Sequence, residues 1–265
     1  MVFKEDVVKI FCDIGNTFSN VVIVDKRIKV KKIFSENLIN FLTAECKNKK
    51  YKIYVSCVVK EIEQKIKKKF RYCSKILTYK DLEKYVKIRY DKSLIGIDRI
   101  LNVFAAKEFF GCNTVVVSLG TAIVLDYIDK NCVYLGGEIF PGVRLLTTSL
   151  FAGTSKLPLV RIKKCHFYKR NLIGNNTRDC IIKGIINFCV SGIENFINII
   201  KPENIVITGG DAKIFSKILE PKFKIINIKN LVVMGLILWC YYEGLIILED
   251  FKKLSQKLGF KDFIT

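Results

Sequence analysis

Four short stretches carry residues of the right type and spacing to handle an anion. Asp13-Ile14-Gly15-Asn16-Thr17 and Ser118-Leu119-Gly120-Thr121-Ala122 each follow an apolar β-prone run. A glycine in a strand-to-strand turn lets backbone N–H groups approach an anion with no Cβ in the way. Asn16, Thr17 and Thr121 add side-chain donors. Asp13, at a strand end, can hold a hydrated Mg²⁺, which binds through one or two carboxylates plus phosphates. One such turn alone is equally a plain hairpin; the second copy favours a phosphate site. Thr208-Gly209-Gly210 ends another apolar run and opens a helix, allowing a flat ring or a phosphate to approach the backbone. In Gly96-Ile97-Asp98-Arg99, a carboxylate at a helix start has its charged form favoured there. Asp98 can accept the proton of an attacking hydroxyl, and Arg99 offers a planar fork to carboxylate or phosphate oxygens.

The elements that must position these residues form a repeated pattern. Runs at Val7–Cys12, Ser19–Asp25 and Ile28–Phe34 read as strands, followed by a helix over about 36–48, a strand Tyr51–Cys57 and a Lys-rich amphipathic helix over about 59–70. The pattern restarts about 105 residues further on, with strands at Thr114–Val117, Ile123–Ile128 and Val133–Glu138, a helical region over about 143–153 and a long helix over about 177–200. Asn204–Thr208 is a further strand, and Leu231–Tyr242 is the longest uncharged apolar run. Twelve residues fall short of the roughly 20 a membrane-spanning helix needs, so this is a buried helix. The duplication predicts two related α/β lobes, and clefts between domains are favoured ligand sites.

Composition narrows the class. Half of the 265 residues are apolar and mean hydropathy is +0.25, which excludes a disordered chain. The start of the chain lacks a secretion-signal pattern, and the ten cysteines include no C-x-x-C pair, so they read as reduced, mostly buried thiols of a cytoplasmic protein. The single histidine, His166, has only Cys165 beside it, which argues against a zinc site. A net charge of +20 concentrates at Lys29–Lys32, Lys47–Lys50 and Lys65–Lys69. It reads as a solvated, compositionally Lys-rich surface that draws in anionic ligands rather than as a nucleic-acid interface.

Together the three Gly elements resemble the actin/hexokinase-like superfamily, in which two phosphate loops and an adenosine loop enclose ATP. The resemblance implies two duplicated actin/ribonuclease H-like α/β lobes, over 1–111 and 112–265, with an interlobe ATP cleft. A narrower likeness follows from the order of the motifs. Asp13-Ile-Gly-Asn-Thr, Gly96-Ile-Asp-Arg, Leu119-Gly-Thr-Ala, Tyr134-Leu-Gly-Gly-Glu-Ile-Phe-Pro-Gly, Lys156-Leu-Pro, Gly174-Asn-Asn-Thr and Thr208-Gly-Gly occur as in type III pantothenate kinases.

That family resemblance implies ATP-dependent phosphorylation of pantothenate to 4′-phosphopantothenate, the first step of coenzyme A biosynthesis. ATP would be held by Asp13, Ile14, Gly15, Asn16, Thr17, Thr121, Gly209 and Gly210, with Asp13 toward Mg²⁺. Pantothenate would meet Tyr90, Gly96, Ile97, Asp98, Arg99 and Thr177, with Asp98 as general base; Tyr90 stands one residue closer to the Gly96 element than usual. A homodimer and a monovalent cation, K⁺ or NH₄⁺, belong to the same expectation, with no membrane or nucleic-acid partner. One departure stands out. The family's second loop reads D-F-G-T-A, whereas Ser118 here replaces the carboxylate associated with the monovalent cation, which predicts weaker or absent cation binding unless Asp126 or Glu138 compensates. The alternative is a catalytically weakened relative acting as a regulatory, accessory transcription factor.

Overall fold

Val, Ile and Phe crowd the first runs of the chain, and their branched or flat side chains suit a pleated surface buried on one or both faces. The computed structural model describes residues 7–89, 91–92, 94–163, 166 and 173–260. The chain divides into two compact units, Met1–Phe109 with Asn230–Thr265, and Phe110–Lys229.

The first unit begins with strands β1 (Val7–Ile14), β2 (Phe18–Val24) and β3 (Ile28–Phe34). A single 3-10 turn, Ser35–Asn37, leads to α1 (Leu38–Cys46), then β4 (Lys50–Cys57), α2 (Lys60–Lys69), β5 (Ser74–Ile76), α3 (Tyr79–Leu82), β6 (Lys87–Ile88) and α4 (Ile97–Phe110). Its sheet runs β3-β2-β1-β4-β5, with antiparallel hairpin pairs and parallel β1/β4 and β4/β5 pairs. In the second unit β7 (Thr114–Leu119), β8 (Ala122–Ile128) and β9 (Val133–Pro141) precede α5 (Val143–Ala152), α6 (Thr177–Ile200), β10 (Asn204–Gly209), α7 (Ala212–Leu219) and β11 (Ile225–Asn227). These strands lie in the order β9-β8-β7-β10-β11 with the same parallel and antiparallel pairings. The repeat seen in the sequence is therefore a repeat of topology. Helices α8 (Leu231–Tyr242) and α9 (Leu248–Leu258) return to the first unit.

Strand alternation decides which residues are left to do chemistry. Ile10, Cys12 and Ile14 of β1 face a core completed by Leu38 and Leu42 of α1 and Ile62 and Ile66 of α2. In the second unit Val115, Val117 and Leu119 of β7 pack with Ile185, Cys189 and Ile193 of α6 and Phe215 of α7. Asp13 and Ser118, each one position out of phase, are turned to the opposite faces. On the Asp13 face α8 covers Phe11 and Tyr54, which stack at 5.5 Å, and Trp239 meets Tyr54 edge-on at 6.5 Å. Helix α8 is apolar on every side and nearly all of it is buried, as its uncharged sequence required.

Helix α6 is, among the described residues, the one helix long and apolar enough to cross a membrane, yet it buries a core stripe from Ile181 to Ile197 against the second sheet. The thiols depart from expectation at one place. Cys112 and Cys132, 20 residues apart and just before β7 and β9, are joined in a disulfide with Cα atoms 5.0 Å apart. Both precede strands that flank β8, so the sheet brings their chain ends together. Cys12, Cys46, Cys189 and Cys240 are free and buried as expected.

Candidate active site

Three segments of the first unit converge at the end of β1. The strand ends at Ile14, whose carbonyl accepts from Val58 N just beyond β4 (3.2 Å), and Gly15 N closes the turn onto Phe18 O (3.2 Å). Asp13 is half-buried; Asn20, directly opposite on β2, donates from Nδ2 to its Oδ2 at 3.1 Å. On its other flank lies Ser56 of β4, fully buried. The third segment is the start of α4. Val58 Cγ1 lies 3.7 Å from where a Gly96 Cβ would sit, and that same Cβ would strike Asp98 Oδ1, so only glycine at 96 leaves the carboxylate where it is. Asp98 Oδ1 accepts from Arg99 N at 2.9 Å, and Arg99 itself is buried.

Two carboxylates thus share one region, and each alters the other's electrostatics. Burial pushes Asp13 up to about 7, with the Asp98 charge adding to the rise while hydrogen bonds from Asn20 and Ser56 oppose it. Burial also raises Asp98, against the pull of the Arg99 N–H and guanidinium. A carboxylate whose charged form is disfavoured by burial and by a second acid nearby suits a divalent cation at Asp13. Among the described residues no group of three or more His, Cys, Asp or Glu side chains is placed to bind a metal by itself, so a cation there would depend on phosphate oxygens as well.

One residue that the sequence reading missed supports the first loop. Ser35 Oγ donates to Gly15 O at 2.6 Å, Ser35 N donates to Thr17 O at 3.1 Å, and its hydroxyl lies 2.9 Å from that of Ser19. In a trans peptide the carbonyl and the following N–H point oppositely. Tying down the Gly15 carbonyl therefore turns Asn16 N–H away from Ser35. Ser35 is 20 residues from Gly15 and stands in no glycine motif, so only the β3 register shows its part.

The second loop, Gly120–Thr121, is braced by two glycines. Gly120 N donates to Ala122 O (3.0 Å), and Gly142 N donates to Thr121 O (3.0 Å). A Cβ on Gly142 would enter the Gly120 and Thr121 carbonyls, and one on Gly209, at φ +102°, would enter the Leu119 backbone. Gly209 thus has a packing reason to be glycine, where the sequence offered close approach of a ligand, and Asp211 N donates to Leu119 O (3.2 Å). Ser118 lies between Thr208 and Val124. Of the two carboxylates considered as substitutes, Glu138 pairs with Leu125 and so lies on the opposite face of the sheet from Ser118. Asp126 shares the Ser118 face but is fully buried and accepts from Tyr134 Oη at 2.6 Å. The residues present do not fit a carboxylate-held monovalent cation at Ser118.

Thr177 opens α6, exposed, beside Asn176, whose Oδ1 caps the helix by accepting from Asp179 N at 3.0 Å. Tyr90 lies outside the described residues. The structure thus gathers Asp13 to Thr17 with Gly96 to Arg99 in the first unit, and Ser118, Thr121, Gly209 and Gly210 in the second.

Two units of one topology, each with a glycine turn after its first strand, define the two-lobed actin/ribonuclease H-like fold. Solved structures share the fold. A conserved protein of the Baf transcriptional-activator family from Campylobacter jejuni matches with TM-score 0.62 at 22% identity, over 89% of this chain and 100% of that one. Spiroplasma citri MreB 5 bound to AMPPNP matches with TM-score 0.50 at 9% identity, over 96% and 99%. Sequence comparison is narrower: the family model for type III pantothenate kinase matches residues 9–199. A type III pantothenate kinase of Thermosipho melanesiensis is 33% identical over 258 residues, 90% of this chain and 99% of the relative. One from a Sulfurihydrogenibium species is 39% identical over 178 residues, 64% and 69% of the two chains. The chain belongs to the type III pantothenate kinase family.

Proposed function

We propose that this chain transfers the γ-phosphoryl group of ATP to the primary hydroxyl of pantothenate, giving 4′-phosphopantothenate for coenzyme A synthesis. The observation that carries the reading is Asp98, held by Gly96 and the Arg99 N–H at the start of α4, beside the Asp13 end of β1. Phosphoryl transfer asks a protein mainly for positioning and charge stabilisation. Asp98 takes the hydroxyl proton, and its raised pKa strengthens it as an acceptor. Arg99 and Thr177 orient pantothenate, joined by Tyr90. Asn16, Thr17 and the N–H groups of the first loop hold phosphate oxygens, and Thr121 and the Gly209-Gly210 turn are nucleotide-binding elements of the second unit. Mg²⁺, held by Asp13 together with the phosphates, would supply neutralising charge.

Ser118 supports turnover with little dependence on K⁺ or NH₄⁺. A homodimer is part of the same proposal. It is supported by an apolar groove of about 400 Å³ between α5 and α6, lined by Leu146, Leu150, Ile181, Ile185 and Phe188, with Phe151 and Phe188 exposed beside it. The reading needs neither membrane nor nucleic acid and suits a cytoplasmic enzyme. The regulatory alternative has only the Campylobacter likeness behind it, which extends to the fold alone. The test is ADP release dependent on pantothenate, with mass detection of 4′-phosphopantothenate; its absence from the purified, folded chain overturns the reading.

A further inference from the structure

The registers of the first sheet place four polar residues in one row across its site face. Ser56 of β4 is opposite Asp13 of β1, Asp13 opposite Asn20 of β2, and Asn20 opposite Lys32 of β3. Neighbouring strands lie about 4.8 Å apart, so Lys32 stands roughly 10 Å from Asp13 across the sheet. Its side chain leans along the strand toward the loop end, because Nζ lies 4.4 Å from the centroid of the Phe18 ring. Phe18 directly follows the Gly15-Asn16-Thr17 turn, and Phe34, opposite it at 4.7 Å between centroids, backs the ring. An exposed lysine is thereby aimed at the mouth of the first phosphate loop. The remaining lysines of β3 are turned away: Lys31 pairs with Val21 and Lys29 with Ile23, on the core-facing side, where Lys29 approaches Glu45 at 3.9 Å.

The equivalent row in the second unit is Thr208, Ser118, Val124 and Ile139. Ile139, 59% exposed, stands where Lys32 does. A cation in this position is therefore a property of the first unit and not of the topology.

We infer that Lys32 is a phosphate-positioning residue, its ammonium contacting the terminal phosphates of the nucleotide held by the first loop. The ring of Phe18 keeps the flexible stem in place before ligand arrives, and a point charge with three donors suits a phosphate without demanding bidentate geometry. The inference rests on the kinase reading for the identity of its ligand.

Equilibrium titration of ATP and of adenosine onto the full chain tests it, comparing the unaltered protein with Lys32→Met, Lys32→Arg and Lys31→Met. Lys32→Met should weaken ATP about ten-fold, the loss of one charge-assisted hydrogen bond, and leave adenosine unchanged. Lys32→Arg should keep most ATP affinity, and Lys31→Met should match the unaltered chain. Unchanged ATP binding by Lys32→Met overturns the inference. So does an equal loss in Lys31→Met, which would mean a general field and not a contact. A chain that binds ATP yet releases no ADP with pantothenate removes the kinase reading, while the same titrations still decide the role of Lys32.

Discussion

The two units share a strand order and differ in what that order presents. Row for row, the first offers Ser56, Asp13, Asn20 and Lys32, and the second offers Thr208, Ser118, Val124 and Ile139. One row holds a carboxylate and a cation; its counterpart is neutral and partly apolar. The second loop is instead tightly built, with Gly142 and Gly209 packed where no Cβ fits. The duplication has thus separated two tasks. Charged side chains concentrate in the row of the first unit, and close glycine packing marks the turn of the second.

The largest effect that tests this division is at Asp98. Asp98→Asn keeps the shape and removes the carboxylate proposed as the base, so kcat should fall about 10²–10⁴-fold with pantothenate affinity retained, as read by ADP release. Near-full turnover would take the chemistry out of the first unit.

Next in size is the effect of burying Asp13. The folded chain holds this proton up to about pH 7, whereas the ordinary value is 3.8. Between those limits the folded state binds more protons than the unfolded one, so stability falls as pH rises through the window. Metal-free Asp13→Asn should therefore be more stable than the unaltered chain at pH 8, by up to about 4 kcal/mol. The two should converge at pH 3.5, as measured by thermal melts across pH. An unchanged difference across that range would show that burial at Asp13 carries no such cost.

Gly142→Ala examines the shape of the second loop. Its Cβ meets backbone carbonyls that cannot step aside, so a loss of about 1–3 kcal/mol and a lower Tm are expected, together with weaker ATP binding. The smallest effect is at Ser118. Ser118→Ala should change turnover by less than about ten-fold, the span of a neutral hydrogen bond. Assays in K⁺, NH₄⁺, Na⁺ and no added cation should show little dependence, and Ser118→Asp should introduce it. A strict K⁺ requirement in the unaltered chain would erase the contrast between the rows.

Much of this was legible from residue types. The hairpin units, the long α6 and the all-apolar α8 follow from periodicity and run length, and α8 spans Leu231–Tyr242 as expected. The three-residue strands β5 and β11 were not visible, because so short a run has no period to detect. The Cys112–Cys132 disulfide was also hidden, since spacing alone cannot say that two chain ends flank one strand. Ser35 and Lys32 look in sequence like an ordinary serine and one of many lysines. Their parts appear only when β3 is laid in register beside β2.

The sequence by itself determined the local chemistry: glycine turns after β-prone runs, a carboxylate at a helix start, and a second turn lacking its acid. These are properties of neighbouring residues and need no partner at a distance. Tertiary structure alone decided the face on which Asp13 and Ser118 lie, which residues stand opposite them, and the return of α8 to the first sheet. The physical reason is that register and packing are set by side chains far apart in the chain. A shift of one residue in β3 would have put Lys31, not Lys32, in the row with Asp13.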